Sequence, residues 1–162
     1  MRAPLFVLPV LAATLFLSSQ SCTPKNDPAS TISAESASYK LDGHLVKCRA
    51  AATTGGMETG DERFDLISVS LTSLAQPARD APTLIVDFER LVRQQNGPYQ
   101  LQYILYLKGD SYPPVIYDNV QATITKTGRG LFSGTFSATS PKEGTITEGS
   151  FTNVRVIEDY PL

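Results

Sequence analysis

Tryptophan is absent from these 162 residues, histidine occurs once and cysteine twice, and each scarcity excludes a chemistry. A zinc or copper centre needs clustered imidazole, thiolate or carboxylate ligands. His44 and one spare thiol cannot supply them, so neither a metal nor a cofactor is expected. A catalytic cysteine needs a histidine within hydrogen-bond reach. His44 and Cys48 are four residues apart, which on a strand separates them by about 13 Å. A block of one charge sign is missing too, because 14 Lys and Arg face 16 Asp and Glu for a formal net charge of −2. Nucleic-acid phosphates call for a clustered basic face, so nucleic acid is not an expected partner.

Long apolar runs are also scarce. The one that stands out, Leu5 to Leu17, follows Arg2 and ends in Ser18-Ser19-Gln20-Ser21-Cys22. It is shorter than the about 20 residues that cross a hydrocarbon core, and it reads as a cleaved bacterial lipoprotein signal over residues 1–21. Cys22 is then the lipidation site, whose acyl chains hold a soluble domain to a membrane. Ser19 and Gln20 depart from the commonest residues before such a cysteine, and an ordinary secretory signal is the competing reading. The polar stretch from Thr23 to Thr31, with Pro24 and Pro28, suits a tether over residues 22–37 that keeps the domain off the lipid. The expected location is the cell envelope, as an outer-membrane lipoprotein on either the periplasmic or the surface face. With Cys22 acylated, Cys48 has no partner for a disulfide. Set among Leu45, Val46, Ala50 and Ala51, it reads as a small core hydrophobe.

What remains, residues 38–162, is one domain's worth of chain. Val, Ile, Thr, Tyr and Phe come in short runs between Gly, Pro, Asn and Asp, the pattern of strands and turns. Ser38–Leu41, Asp42-Gly43 and His44–Ala52 form the clearest hairpin, since Asp-Gly supplies the positive φ angles of a type I′ turn. Thr53 to Glu62, with three glycines, reads as a flexible connection. Phe64 to Leu74 is a strand whose apolar phase slips between Leu66 and Ile67, as a bulge or a fully buried stretch would explain. Thr83 to Glu89 alternates as a strand, although Phe88, Leu91 and Val92 also suit a helix over residues 86–95. After Asn96-Gly97-Pro98, the strand Tyr99–Leu107 places Tyr99, Leu101, Tyr103, Leu105 and Leu107 on one face. Three more units follow at Val115–Lys126, Gly130–Ala138 and Gly144–Val156, with a bulge expected near Gly149. The expected class is all-β, an antiparallel sandwich or partly open barrel with little helix.

Three segments together resemble a family of small Bacteroidota lipoproteins that carry a β-rich domain of unknown function. They are Ser38-Tyr39-Lys40-Leu41-Asp42-Gly43-His44-Leu45-Val46-Lys47, Asn96-Gly97-Pro98-Tyr99-Gln100-Leu101, and Gly130-Leu131-Phe132-Ser133-Gly134-Thr135-Phe136-Ser137 with the later Ile146-Thr147-Glu148-Gly149-Ser150-Phe151-Thr152-Asn153-Val154. The likeness spans Ser38 to Val156. It departs from the family pattern at Val46, where Trp or Phe is common. The resemblance implies an envelope lipoprotein with a sandwich-like domain and carries over no active site.

No catalytic residues are assigned. Gly109-Asp110-Ser111 is similar to the nucleophile block of one esterase family, but that chemistry wants a histidine downstream and His44 lies upstream. Calcium ligands could be sought near Gly60-Asp61-Glu62 or Asp110, yet neither stretch alternates carboxylates along a loop. Asp87, Glu89, Asp110, Glu143, Glu148 and Glu158 offer carboxylates without the spacing of a glycosidase pair. Tyrosine is the skewed residue: Tyr99, Tyr103, Tyr106, Tyr112 and Tyr117 are five of the seven in the chain. Tyr99 and Tyr103 share a face with leucines and are expected in the core. Tyr106, Tyr112 and Tyr117 are the expected surface rings for a ligand. The first functional expectation is a non-enzymatic, lipid-anchored binding or structural module with an envelope protein or glycan as partner. The alternative is a carbohydrate-binding module using that tyrosine-rich surface.

Overall fold

Asp42 and Gly43 take φ values of 49° and 82°, the paired positive angles of a type I′ turn, and they join β1 (Ala37–Leu41) to β2 (His44–Thr59). The computed structural model describes residues 36–76, 81–94, 96–109 and 113–158. The signal segment, Cys22, the tether before Ser36, Asp110 and Tyr112 lie outside the described residues. Asp42 also ties this turn to the end of the molecule: its carboxylate accepts a 2.8 Å hydrogen bond from Thr145 N, and its own N–H donates to Thr145 O at 2.9 Å.

The stretch expected as a flexible connection is strand. β2 runs on to Thr59 and pairs without a break with β3 (Glu62–Ser73), from Cys48↔Ser73 to Thr59↔Glu62. Gly60 turns the corner with φ of 60°, a first turn position suited to glycine, while Gly55 and Gly56 sit within the ladder. The register of β3 is likewise unbroken against β4 (Thr83–Leu91). The phase slip in its sequence is therefore no bulge. Ile67, Val69 and Leu71 are fully buried, and Phe64 and Leu66 half-cover the outer face.

β4 is a strand, with Leu84, Val86 and Phe88 buried at alternate positions, and only a 3-10 turn, Val92–Gln94, follows it. Tertiary pairing on both sides of β4 overrides the helical spacing. In β5 (Gln100–Leu107) Phe88 pairs with Leu101, but Asp87 pairs with Tyr103, so Gln102 is an extra residue. That bulge reverses the expected phase: Leu101 packs on the core before it, while Ile104 and Tyr106 are buried after it. Tyr103, expected in the core, is half-buried on the outer face.

β6 (Val115–Ile116) pairs with β5, β7 (Asp118–Gly128) with β8 (Leu131–Ser140), and β8 with β9 (Gly144–Glu158). β9 carries two extra residues, and Glu148 and Asn153 at these slips hold φ of 51° and 50°. The expected bulge is present, and a second one lies beyond it. Ile146, Phe151 and Val154 consequently all face inward.

The sheet runs in the order β6-β5-β4-β3-β2-β1-β9-β8-β7. It is antiparallel except where β9 passes the end of the short β1 and pairs in parallel with Ala52–Thr54 of β2. It curls so that its halves face each other: Phe88 of β4 meets Phe151 of β9 at 6.5 Å between ring centroids, and Tyr99 meets Phe132 of β8 at 6.3 Å. Tyr117, between β6 and β7, donates its N–H to Ile104 O at 2.9 Å. This draws the two ends of the open sheet together near β5. The fold is all-β and sandwich-like around one apolar core, in which full burial of a side chain such as Phe88 or Ile67 contributes about 1.5–3 kcal/mol.

Candidate functional site: a cavity above three buried tyrosines

Two strands and the junction between β6 and β7 bring three tyrosines to one end of the core. Tyr39 points inward from β1, Tyr106 points inward from β5 because the Gln102 bulge has shifted its phase, and Tyr117 follows the short β6. The rings of Tyr106 and Tyr117 meet edge to face at 6.5 Å, and Tyr39 leans against Phe136 at 6.2 Å. Tyr117 Oη donates to the carbonyl of Glu143 at 3.4 Å. Burial raises the pKa of all three phenols, with Cys48 and the neighbouring phenols adding to the effect at Tyr39. They are neutral hydroxyls at any physiological pH.

This overturns the expectation that Tyr106 and Tyr117 are surface rings. They are 6 % and 3 % exposed, and stacking on a sugar needs an open ring face. Tyr112 lies outside the described residues. Tyr103 is on the outer face and hydrogen-bonds Asp87, which raises its phenol pKa. Tyr99 sits at the other end of β5, under the Arg90 guanidinium at 4.5 Å. Arg90 in turn donates to Asp65 at 2.7 Å. Cys48 is a free, fully buried thiol whose pKa burial pushes up to about 12, so it is inert as a nucleophile at neutral pH.

Beside the tyrosine cluster lies an open cavity of about 420 Å³. Tyr39 and Tyr106 line it together with Leu41, Val46, Leu74 and Pro82, and Leu45 and Lys47 complete that side. The chain after β3 shapes it: Leu74 N donates to Lys47 O at 2.9 Å and Ser73 N to Pro82 O at 3.0 Å. The buried Ser73 hydroxyl accepts from Ala75 N at 3.3 Å. Leu45 is 59 % exposed and Leu74 38 %. Among the described residues, two of the four large exposed hydrophobic side chains thus line this one cavity. A mostly apolar hollow of a few hundred Å³ with a few polar atoms is the usual form of a small-molecule site.

The tyrosine count concealed this site, but it left a trace in the sequence. Leu45 and Val46 are consecutive apolar residues directly after a tight turn, so alternation must leave one of them on the wrong face. Leu74 breaks the alternation at the end of β3 in the same way.

The carboxylates do not gather. Asp87 and Glu89 share the outer face of β4, where Glu89 accepts from Gln102 at 3.1 Å. Glu148 pairs with Lys40 at 2.7 Å and Glu62 with Arg93 at 2.6 Å. Glu143 is in the turn before β9, Asp110 is outside the described residues, and so is the side chain of Glu158. No group of three or more His, Cys, Asp or Glu suited to a metal ion occurs among the described residues, and no described helix is long and apolar enough to cross a membrane. No protein-family model, curated protein or solved structure matches the chain.

Proposed function

We propose that this chain is a non-enzymatic binding module, held to the cell envelope by lipid on Cys22, that takes a small apolar ligand into the cavity beside Tyr39 and Tyr106. One observation carries the binding part: about 420 Å³ of largely apolar hollow whose lining includes two exposed leucines. Water in such a hollow has few hydrogen-bond partners, so a ligand that displaces it gains the free energy of burying apolar area on both sides. The signal pattern ending at Cys22 and the likeness to Bacteroidota lipoproteins support the envelope part. The carbohydrate alternative called on Tyr106, Tyr112 and Tyr117 as open rings; Tyr106 and Tyr117 are buried, which speaks against it, and Tyr112 lies outside the described residues.

The test uses a neutral linear-chain reporter, methyl cis-parinarate, whose polyene fluorescence rises in an apolar site, with the full chain carrying Cys22→Ser and purified without detergent. Saturable fluorescence enhancement at one reporter per chain is expected. Ala75→Trp, at an exposed lining position, fills the hollow and should abolish it with the melting temperature unchanged. Enhancement that is absent, or that survives Ala75→Trp, overturns the reading.

A further inference from the structure

We infer that the cavity is a site for a single aliphatic chain ending in a carboxylate, the class of a medium- or long-chain fatty acid; this rests on the binding reading above and names its ligand. The lining selects the chain. Leu41, Leu45, Val46, Leu74 and Pro82 are aliphatic, and they offer close packing without hydrogen bonds. A sugar or a peptide backbone would leave its own polar groups unpaired there, at a cost that apolar contact does not repay. The tyrosines select against flat aromatic ligands. Tyr39 is 1 % and Tyr106 6 % exposed, so little of either ring is open to a ligand in the hollow. A planar ligand finds nothing to stack on, whereas a flexible chain can follow the gaps between branched side chains.

Charge selects the head group. Among the described residues, Lys47 is the one charged residue of the lining, and no described Asp or Glu is part of it. An ammonium has three N–H donors, so a carboxylate needs one of them and does not require Lys47 to be idle. The Tyr39 and Tyr106 hydroxyls stay protonated, and they add no competing negative charge. Lys47 is exposed, so the charged end stays near water while the chain is buried, the arrangement that minimises desolvation of the ion.

The experiment is competition against the same neutral reporter, on the same detergent-free full chain, with three probes of about ten carbons: decanoate, 2-naphthoate and decylammonium. Decanoate should displace the reporter at a concentration at least tenfold below either of the others. Leu45→Asp, a change at a 59 % exposed position, should weaken decanoate at least tenfold while the melting temperature holds. Equal or better displacement by 2-naphthoate overturns the aliphatic selection, and equal displacement by decylammonium overturns the carboxylate. Decanoate binding that ignores Leu45→Asp places the chain elsewhere and overturns the site. A reporter that binds but resists decanoate sinks this inference and leaves the binding reading standing. A reporter that does not bind at all sinks that reading itself.

Discussion

The rings of Tyr106 and Tyr117 meet edge to face at 6.5 Å, with an interplanar angle of 81°, and both are buried. One residue, Gln102, decides this. Without the bulge, Tyr106 would fall on the outer face of β5 and Tyr103 on the inner. Truncation costs should therefore follow burial and not aromatic count. Tyr106→Ala and Tyr117→Ala each remove a buried ring and should cost about 3–5 kcal/mol, as large-to-small core changes do. Tyr103→Ala should cost less than about 1.5 kcal/mol. Urea unfolding of the three variants checks the order, and a Tyr103 variant as unstable as the other two would place the inner face wrongly.

The same buried groups set an alkaline limit. Cys48 rises from 9.0 to about 12, and Tyr39, Tyr106 and Tyr117 are raised from 10.0. All four are acids whose folded pKa lies above the unfolded value, so folding favours the protonated form. Their contribution is fully present below about pH 9 and is lost as pH rises through the folded values. Denaturant midpoints should be level across neutral pH with respect to these groups and should fall progressively from pH 9 to 12. Cys48→Ala should delay the onset from near 9 to near 10. A wild-type midpoint that stays constant from pH 9 to 12 contradicts the buried cluster.

How much of this was legible depended on where the deciding forces lie. The Asp42-Gly43 hairpin, the strand-turn cadence after Val115 and the bulge near Gly149 are written in local backbone chemistry, and all three are present. Thr53–Glu62 reads as a connection in sequence because glycine weakens strand propensity, whereas regular pairing with β3 supplies what propensity lacks. The Gln102 bulge has no local mark: glutamine is unremarkable at either position, and the phase is set by which neighbours β4 offers on each side. Gly134 and Gly149 show the same dependence, since a Cβ at Gly134 would run into Phe151 and the backbone of Thr123, and one at Gly149 into Phe136. The cavity needed β1, β2, β5 and the chain after β3 together, and only Leu45 and Leu74 hinted at it.

Two turn glycines separate backbone strain from steric conflict. Gly43 has φ of 82° and nothing near the position of a Cβ, while Gly144 has φ of 86° with the Asp42 carboxylate against it. Gly43→Ala should cost about 1–2 kcal/mol from the left-handed backbone alone. Gly144→Ala should cost more, because it also displaces the acceptor of Thr145 N. Gly43→Val should in turn destabilise far more than His44→Ala, whose side chain is exposed. Melting temperatures of the four variants give the ranking, and equal values for the two alanine variants would show that the Asp42 contact is not constraining.

The proposed anchor leads to the remaining prediction. Acyl chains on Cys22 would supply about 0.8 kcal/mol per buried methylene. The described strands are taken up by the sheet and its core, so Cys22→Ser should move the protein from the membrane fraction to the soluble envelope or the medium. Its melting temperature and reporter binding should be unchanged, because the cavity is built from β1, β2, β5 and the residues after β3. Fractionation with a salt wash, followed by the same reporter titration on both forms, tests anchor and cavity independently. A variant that still sediments after the wash contradicts the anchor, while one that is released but no longer binds would mean that the segment around Cys22 takes part in the site.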